Sequence, residues 1–434
     1  MAALGGTSKF RCGRMLNFLI PVSAVTLFLA TKMSLGIIQL RPFDILVAFI
    51  LLLVAIQPRL FMRARLDLGF LILLPFFIVH TLSAFGYYTG NGIRELFQVT
   101  LILGFAFVLN AVGDRLDYKL MGKILLIGLI GVMIYNIGWH ISQGQWSGWK
   151  RLNDPKAAFT FLPMLLSVFI LFAPDARRRL YWALWIVVGI AVFLSGERKA
   201  LLAFGIITVA LLSRGRFVAA IPVLAAGIFA LSILATLVDD PYITRQVNTL
   251  LEPTTTDISL SAMAEGQMPT SLSNAAREFS FEQVKRMSSE NPLFGIGTNA
   301  YTDIMRREFA FLPSFLLVSI HGEFLRIIVE NGIVGLAFYI LIWVVALLRN
   351  LKVAHHLQLN RRITQAQARI LPILLLLPPA FYVGFEATGT RVFMATILAS
   401  MAPSLVFWAV SQRARPAAST RRVQTGIEES TATS

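Results

Sequence analysis

The 434-residue chain carries 39 Lys plus Arg against 23 Asp plus Glu, a net charge of +16, yet only 14% of its residues are charged and 56% are hydrophobic. Soluble domains run near a quarter charged, so this composition excludes one and points to a polypeptide built for a bilayer. The positive excess does not mark a nucleic-acid reader: there is no soluble basic domain, no strand-led Gly-rich phosphate loop and no basic run interleaved with aromatics.

In chain order, the lone cysteine, Cys12, rules out an intrachain disulfide and a cysteine metal site. Lys9 to Arg14 followed by an apolar stretch has the outline of a signal peptide. No small-residue cleavage site follows and another span comes almost at once, so an uncleaved first helix is the simpler reading. Apolar windows recur at 16–31, 41–57, 67–86, 94–112, 120–141, 157–174, 179–196, 199–213, 217–237, 318–348, 369–387 and 391–411. They predict an all-α polytopic membrane protein of about twelve spans. The window from 318 exceeds one straight span, so its first part should project or tilt. No repeat of 20–50 residues and no inverted symmetry relates the halves.

Basic residues set the orientation. Arg59, Arg63 and Arg65, Arg115 with Lys119 and Lys123, Arg177 to Arg179, Arg214 and Arg216, and Arg349 to Arg369 all fall on one side, which the positive-inside rule makes cytoplasmic together with both termini. The division is then an N-terminal bundle of about nine spans over residues 1–237, an outer loop over 238–317, C-terminal spans over 318–411, and a Ser/Thr/Ala/Arg-rich tail over 412–434 expected to be disordered. Within the large loop, Thr254 to Ser273 is polar and lacks helical spacing. REFSFEQVKRM, by contrast, places Phe279, Phe281, Val284 and Met287 near one face of a helix that NPLFGIG ends. The outer connection after 141 sets Trp146 and Trp149 beside Lys150, Arg151 and Lys156, a pattern suited first to headgroup anchoring and second to an anionic lipid ligand.

Outward charges without a topological reason are the candidates for chemistry. Arg198 sits in SGERKALLAFG, a tight turn where Glu197, Arg198 and Lys199 either meet water or face a cavity in which a forked guanidinium holds phosphate. Arg277 opens the helix of the large loop, where a surface role competes with a binding one. His321 starts HGEFLRIIVENGIVGL, and its company is unusual for an apolar window: Glu323, Arg326, Glu330 and a Gly332/Gly335 pair. Charges there are costly unless paired or functional. His80 and His140 lie near outward helix ends without a partner motif. Two arginines able to hold a diphosphate leaving group and a histidine able to accept a hydroxyl proton form a coherent set for moving a glycan off a lipid diphosphate.

At these residues the sequence resembles the O-antigen ligase and Wzy-type polymerase superfamily of bacterial membrane glycosyltransferases. Over residues 195–340, Arg198 and Leu202 fit its outward turn. Arg277 followed by Pro292, Leu293, Gly295 and Gly297 fits its loop motif, and His321 with Gly332 and Gly335 fits the block after the loop. Gly322 departs from the Asn, Ser or Gln that usually follows the ligase histidine. The resemblance implies a C-type glycosyltransferase of the bacterial inner membrane with a periplasmic site, needing no metal or cofactor. Its donor would be a glycan on undecaprenyl diphosphate gripped by Arg198 and Arg277, and its acceptor lipid A-core or another glycan, activated by His321 with inversion.

Lys199, Arg94, Arg286 and Arg391 are further outer-side candidates for the diphosphate path. Tyr301 and Glu323 are candidates for orienting the acceptor or the histidine. A polymerase for O-antigen or exopolysaccharide is the nearest alternative. A transporter or flippase is the more distant one, disfavoured because the spans are nearly free of charge.

Overall fold

The structure, a computed structural model, describes residues 5–29, 33–35, 38–56, 66–86, 90–144, 155–195, 198–216, 218–222, 272–313, 316–317, 320, 322–385 and 390–413. Helix α1 spans Gly5–Thr26. A two-stranded antiparallel hairpin follows, β1 Met33–Leu35 against β2 Ile38–Leu40 with Ser34 opposite Gln39, a small departure from the all-α expectation. Then come α2 Pro42–Ala55, α3 Leu68–Leu71, α4 Leu73–Gly86, α5 Gly90–Val112, α6 Tyr118–Ser142, α7 Pro155–Phe172, α8 Asp175–Ser195 and α9 Arg198–Leu212. The C-terminal half adds α10 Leu272–Glu290, α11 Tyr301–Glu308, α12 Glu323–Leu359, α13 Gln365–Phe385 and α14 Thr390–Arg413.

Seven of these are long and apolar enough to cross a membrane: α3 with α4 as one unit, α5, α6, α8, α12, α13 and α14. Shorter apolar helices run within α1, α2, α7 and α9. Of the ninth expected window, 217–237, only 218–222 are described. The polar stretch up to 271, the Trp146/Trp149 connection and the tail beyond 413 lie outside the described residues.

Local chemistry places the helix starts. Pro42 opens α2 and the Asp44 carboxylate accepts from Arg41 N at 2.8 Å, satisfying an amide that the first turn leaves free. Asp117 does the same for α6, accepting from Lys119 N and Leu120 N. The bundle is centred on α12, which packs on α13, α14 and α4, while α5 lies against α14 and α7 and α9 lie against α13. A second apolar core sits on top of it, where Phe279, Val284 and Met287 of α10 and Tyr301 and Met305 of α11 meet Val329 of α12. The loop helix is therefore packed as expected, with one correction: Phe281 is exposed, because two residues along a helix turn a side chain about 200° away from Phe279.

At the basic end, Asp67 caps α3 and joins three distant helices. Both of its oxygens accept from Arg349 Nη2 of α12 at 2.7 Å, and Ser404 Oγ of α14 donates to Oδ2 at 2.8 Å. Asn110 Oδ1 of α5 takes the Asp67 amide at 2.9 Å.

Candidate active site at the outer end of the bundle

The long window from 318 resolves into a helix that starts at Glu323 and breaks at Gly332 (φ 67°, ψ −170°). A break inside a bilayer protein leaves amides and carbonyls that must find partners. Here the Pro292–Gly297 strip supplies them. Ile296 N and Gly297 N donate to the carbonyls of Val329 and Glu330 at 2.9 and 3.0 Å, and Ile333 N and Val334 N donate to those of Pro292 and Leu293 at 2.9 and 3.3 Å.

Such close approach is possible only without side chains. A Cβ added to Gly295 would lie 2.4 Å from Val329 O, and one added to Gly332 would lie 2.2 Å from Leu293 O. The Pro-Leu-x-Gly-x-Gly block and the Gly332 block, read separately in the sequence, are two halves of one backbone joint.

Under this joint lies a buried ion cluster. The Arg326 guanidinium, 1% exposed, donates through Nε and Nη2 to Glu323 at 2.8 and 2.5 Å, and through Nη1 to Glu330 at 2.8 Å and to Glu95 of α5 at 2.6 Å. Glu323, Arg326 and Glu330 share one helix face because they stand three and four residues apart. Around them, His80 of α4 lies with Nδ1 3.4 Å from Asn331 Oδ1 and Nε2 3.6 Å from Glu95 Oε1. Thr298 Oγ1 donates to His80 O at 2.8 Å and accepts from Asn331 Nδ2 at 3.2 Å. The cluster ties α4, α5 and α12 to the outer loop at one point.

The positions expected to carry chemistry are described only in part. His321 lies outside the described residues, but its neighbour Gly322 caps α12 at φ 110°, and a Cβ there would lie 3.0 Å from Gly384 O at the outer end of α13. Arg198 opens α9, which packs on α13. The far end of α9 is pinned next to the start of α13, since a Cβ on Gly215 would lie 2.9 Å from that of Arg369. The side chains of Arg198, Lys199 and Arg391 are outside the description. Arg277 is exposed on α10, beside the buried Ala276, and makes no ion pair among the described residues.

Other candidates are engaged in the framework. Arg286 pairs with Glu308 of α11, donates to Gln283 Oε1 at 3.0 Å and lies 5.8 Å over the Phe309 ring. Arg94 is half-buried within electrostatic reach of Asp44. Tyr301 is buried beside Ser280, and desolvation pushes its phenol up to about 12, so it stays neutral at working pH. Glu323 spends both oxygens on Arg326. What sequence reasoning missed is His80, Asn331 and Glu95. The available signal was their polarity inside apolar windows, but only the fold shows that they meet.

The family model described as O-antigen ligase matches residues 182–340, a stretch that contains the turn at Arg198, helix α10, the glycine joint and the α12 members of the ion cluster. That stretch is similar to the O-antigen ligase family. No curated protein matches the chain. The match supports ligase- or polymerase-type activity and lipid-linked glycan or polysaccharide substrates in general, and the seven long apolar helices among the described residues agree with a multi-pass membrane protein.

Proposed function

We propose that the chain transfers a glycan from undecaprenyl diphosphate to a sugar hydroxyl at the periplasmic face of the inner membrane, joining O-antigen to lipid A-core. In this reading His321 takes the proton of the acceptor hydroxyl and the oxygen attacks the anomeric carbon. The bond to the diphosphate breaks, and the configuration inverts in one displacement. Arg198 and Arg277 hold the departing diphosphate, so that its negative charge is met by guanidinium donors without a metal.

The observation that carries this reading is the joint between the Pro292–Gly297 strip and the helix that follows His321. It supports a single site by joining the loop that carries Arg277 to the helix that follows His321. The ion cluster beneath supplies a rigid floor, and Glu323 serves there as an anchor for Arg326. Lys199, Arg391 and Arg94 remain candidates for widening the positive field, whereas Arg286 serves to join α10 to α11.

One observation favours the polymerase reading as a second choice. At φ 110° and against Gly384 O, position 322 accepts glycine and would strain the Asn, Ser or Gln expected of a ligase. A deletion strain complemented with wild type, His321→Ala or Arg277→Ala tests both. Either variant should lower transfer by about 100-fold or more. Long chains left on the carrier with bare core indicate ligation, and single repeat units indicate polymerisation. Unchanged glycans with either variant would overturn the assignment of roles.

A further inference from the structure

At the opposite, basic end of the bundle, α12 and α13 are joined by a short link and enclose a groove of about 800 Å³. Its walls are graded. Trp343, Leu347 and Leu351 of α12 face Pro372, Ile373 and Leu376 of α13, whereas the closed end next to the link is lined by His355, Gln358, Gln365 and Arg369. From Trp343 to Gln358 the groove runs about 22 Å at 1.5 Å per residue. That is the thickness of one leaflet with its headgroup layer, half of about 40–45 Å. The polar end falls where headgroups lie and the apolar walls where acyl chains lie.

The charge at this end is also unbalanced. The hairpin carries Arg349, Lys352, Arg361, Arg362 and Arg369, and from Asn331 to Phe385 the sequence has no acidic residue. Arg349 is satisfied by Asp67, but Arg369 has no carboxylate partner among the described residues. Basic pockets between membrane helices on the side that meets anionic lipid select phosphate headgroups. Bulk lipid alone would wet the apolar walls without needing the cationic end.

We propose that this groove seats one resident anionic phospholipid, with its phosphate on Arg369 and His355 and an acyl chain along Leu351, Leu347 and Trp343. The site is independent of the glycan-transfer reading and lies at the other end of the same helix. An anionic lipid seated there would brace α12 against α13.

Trp343 reports on it directly. The full chain is reconstituted in vesicles holding phosphatidylglycerol or phosphatidylcholine with brominated chains, and the Trp343 signal is taken as the difference between wild type and Trp343→Phe. Brominated phosphatidylglycerol should quench that signal at about fivefold lower mole fraction than brominated phosphatidylcholine, the preference one basic residue confers near an anionic surface. Arg369→Gln should bring the two curves together, and Arg369→Lys should keep them apart. Arg362→Gln, exposed at the same end but outside the groove lining, should leave the preference intact. Equal quenching by both lipids in the wild type, no quenching of Trp343 by either, or an Arg362→Gln effect as large as that of Arg369→Gln would overturn the proposal.

Discussion

Two arginines hold this molecule together at opposite ends of α12, and they do so in different dielectric surroundings. Arg326, at the outer end, is 1% exposed and faces three carboxylates from two helices. Arg349, at the basic end, faces one carboxylate, and their side chains are 15% and 24% exposed. Both cross-link segments far apart in sequence. At the basic end, water can take over when a partner is lost, so the Asp67 pair is a replaceable staple. At the outer end nothing can, so the Arg326 cluster is either complete or costly. The stretch that the family match covers thus contains the less forgiving of the two arginines.

That contrast can be broken by substitution. Arg326→Ala leaves three carboxylates buried without their cation and should cost about 3–5 kcal/mol of stability, measured by reversible unfolding in detergent micelles. Combining Arg326→Met with Glu95→Gln, Glu323→Gln and Glu330→Gln should recover part of that loss, because the uncompensated charge goes with the arginine. A quadruple variant no more stable than Arg326→Ala would show that packing rather than charge sets the cost.

Arg349→Ala should cost less, about 1.5–3 kcal/mol, since Asp67 keeps its bonds from Gly69 N and Ser404 Oγ and gains water. A loss equal to that of Arg326→Ala would erase the distinction between the two ends. The smallest effect is expected at Arg286, whose pair with Glu308 is about 40% exposed on both sides. Arg286→Ala should change stability by no more than about 1 kcal/mol. It should leave glycan transfer intact if the residue only joins α10 to α11, while a large loss of transfer without loss of stability would return it to the diphosphate path.

Much of this was legible before any coordinates. Apolar windows located most of the long helices because a bilayer demands runs of that length, whereas the excess length of the 318–348 window suggested a projecting or tilted first part rather than the break at Gly332. Arg198, Arg277 and His321 stood out in the sequence as candidates, with a solvated turn and a surface position as competing readings of the two arginines. Glu323 was seen as a possible partner of the histidine, yet it turned out to be turned toward Arg326. Its i, i+3 spacing to that arginine was the overlooked clue. His80 showed only its polarity inside an apolar window: its partners Asn331 and Glu95 stand on other helices, and only a folded bundle brings them within reach.

By itself, then, the sequence determined the membrane character, most of the long helices, the clustering of basic residues and the resemblance of its central stretch, because these follow from composition, period and short motifs that act locally. The tertiary structure alone decided that Gly295 and Gly332 are two sides of one joint, that Glu95 completes the Arg326 cluster, and that α12 and α13 leave a graded groove between them. Each of these depends on backbones or charges that meet across tens to hundreds of residues. Close approach and burial are properties of the packed chain, and no local pattern encodes which distant partner will be there.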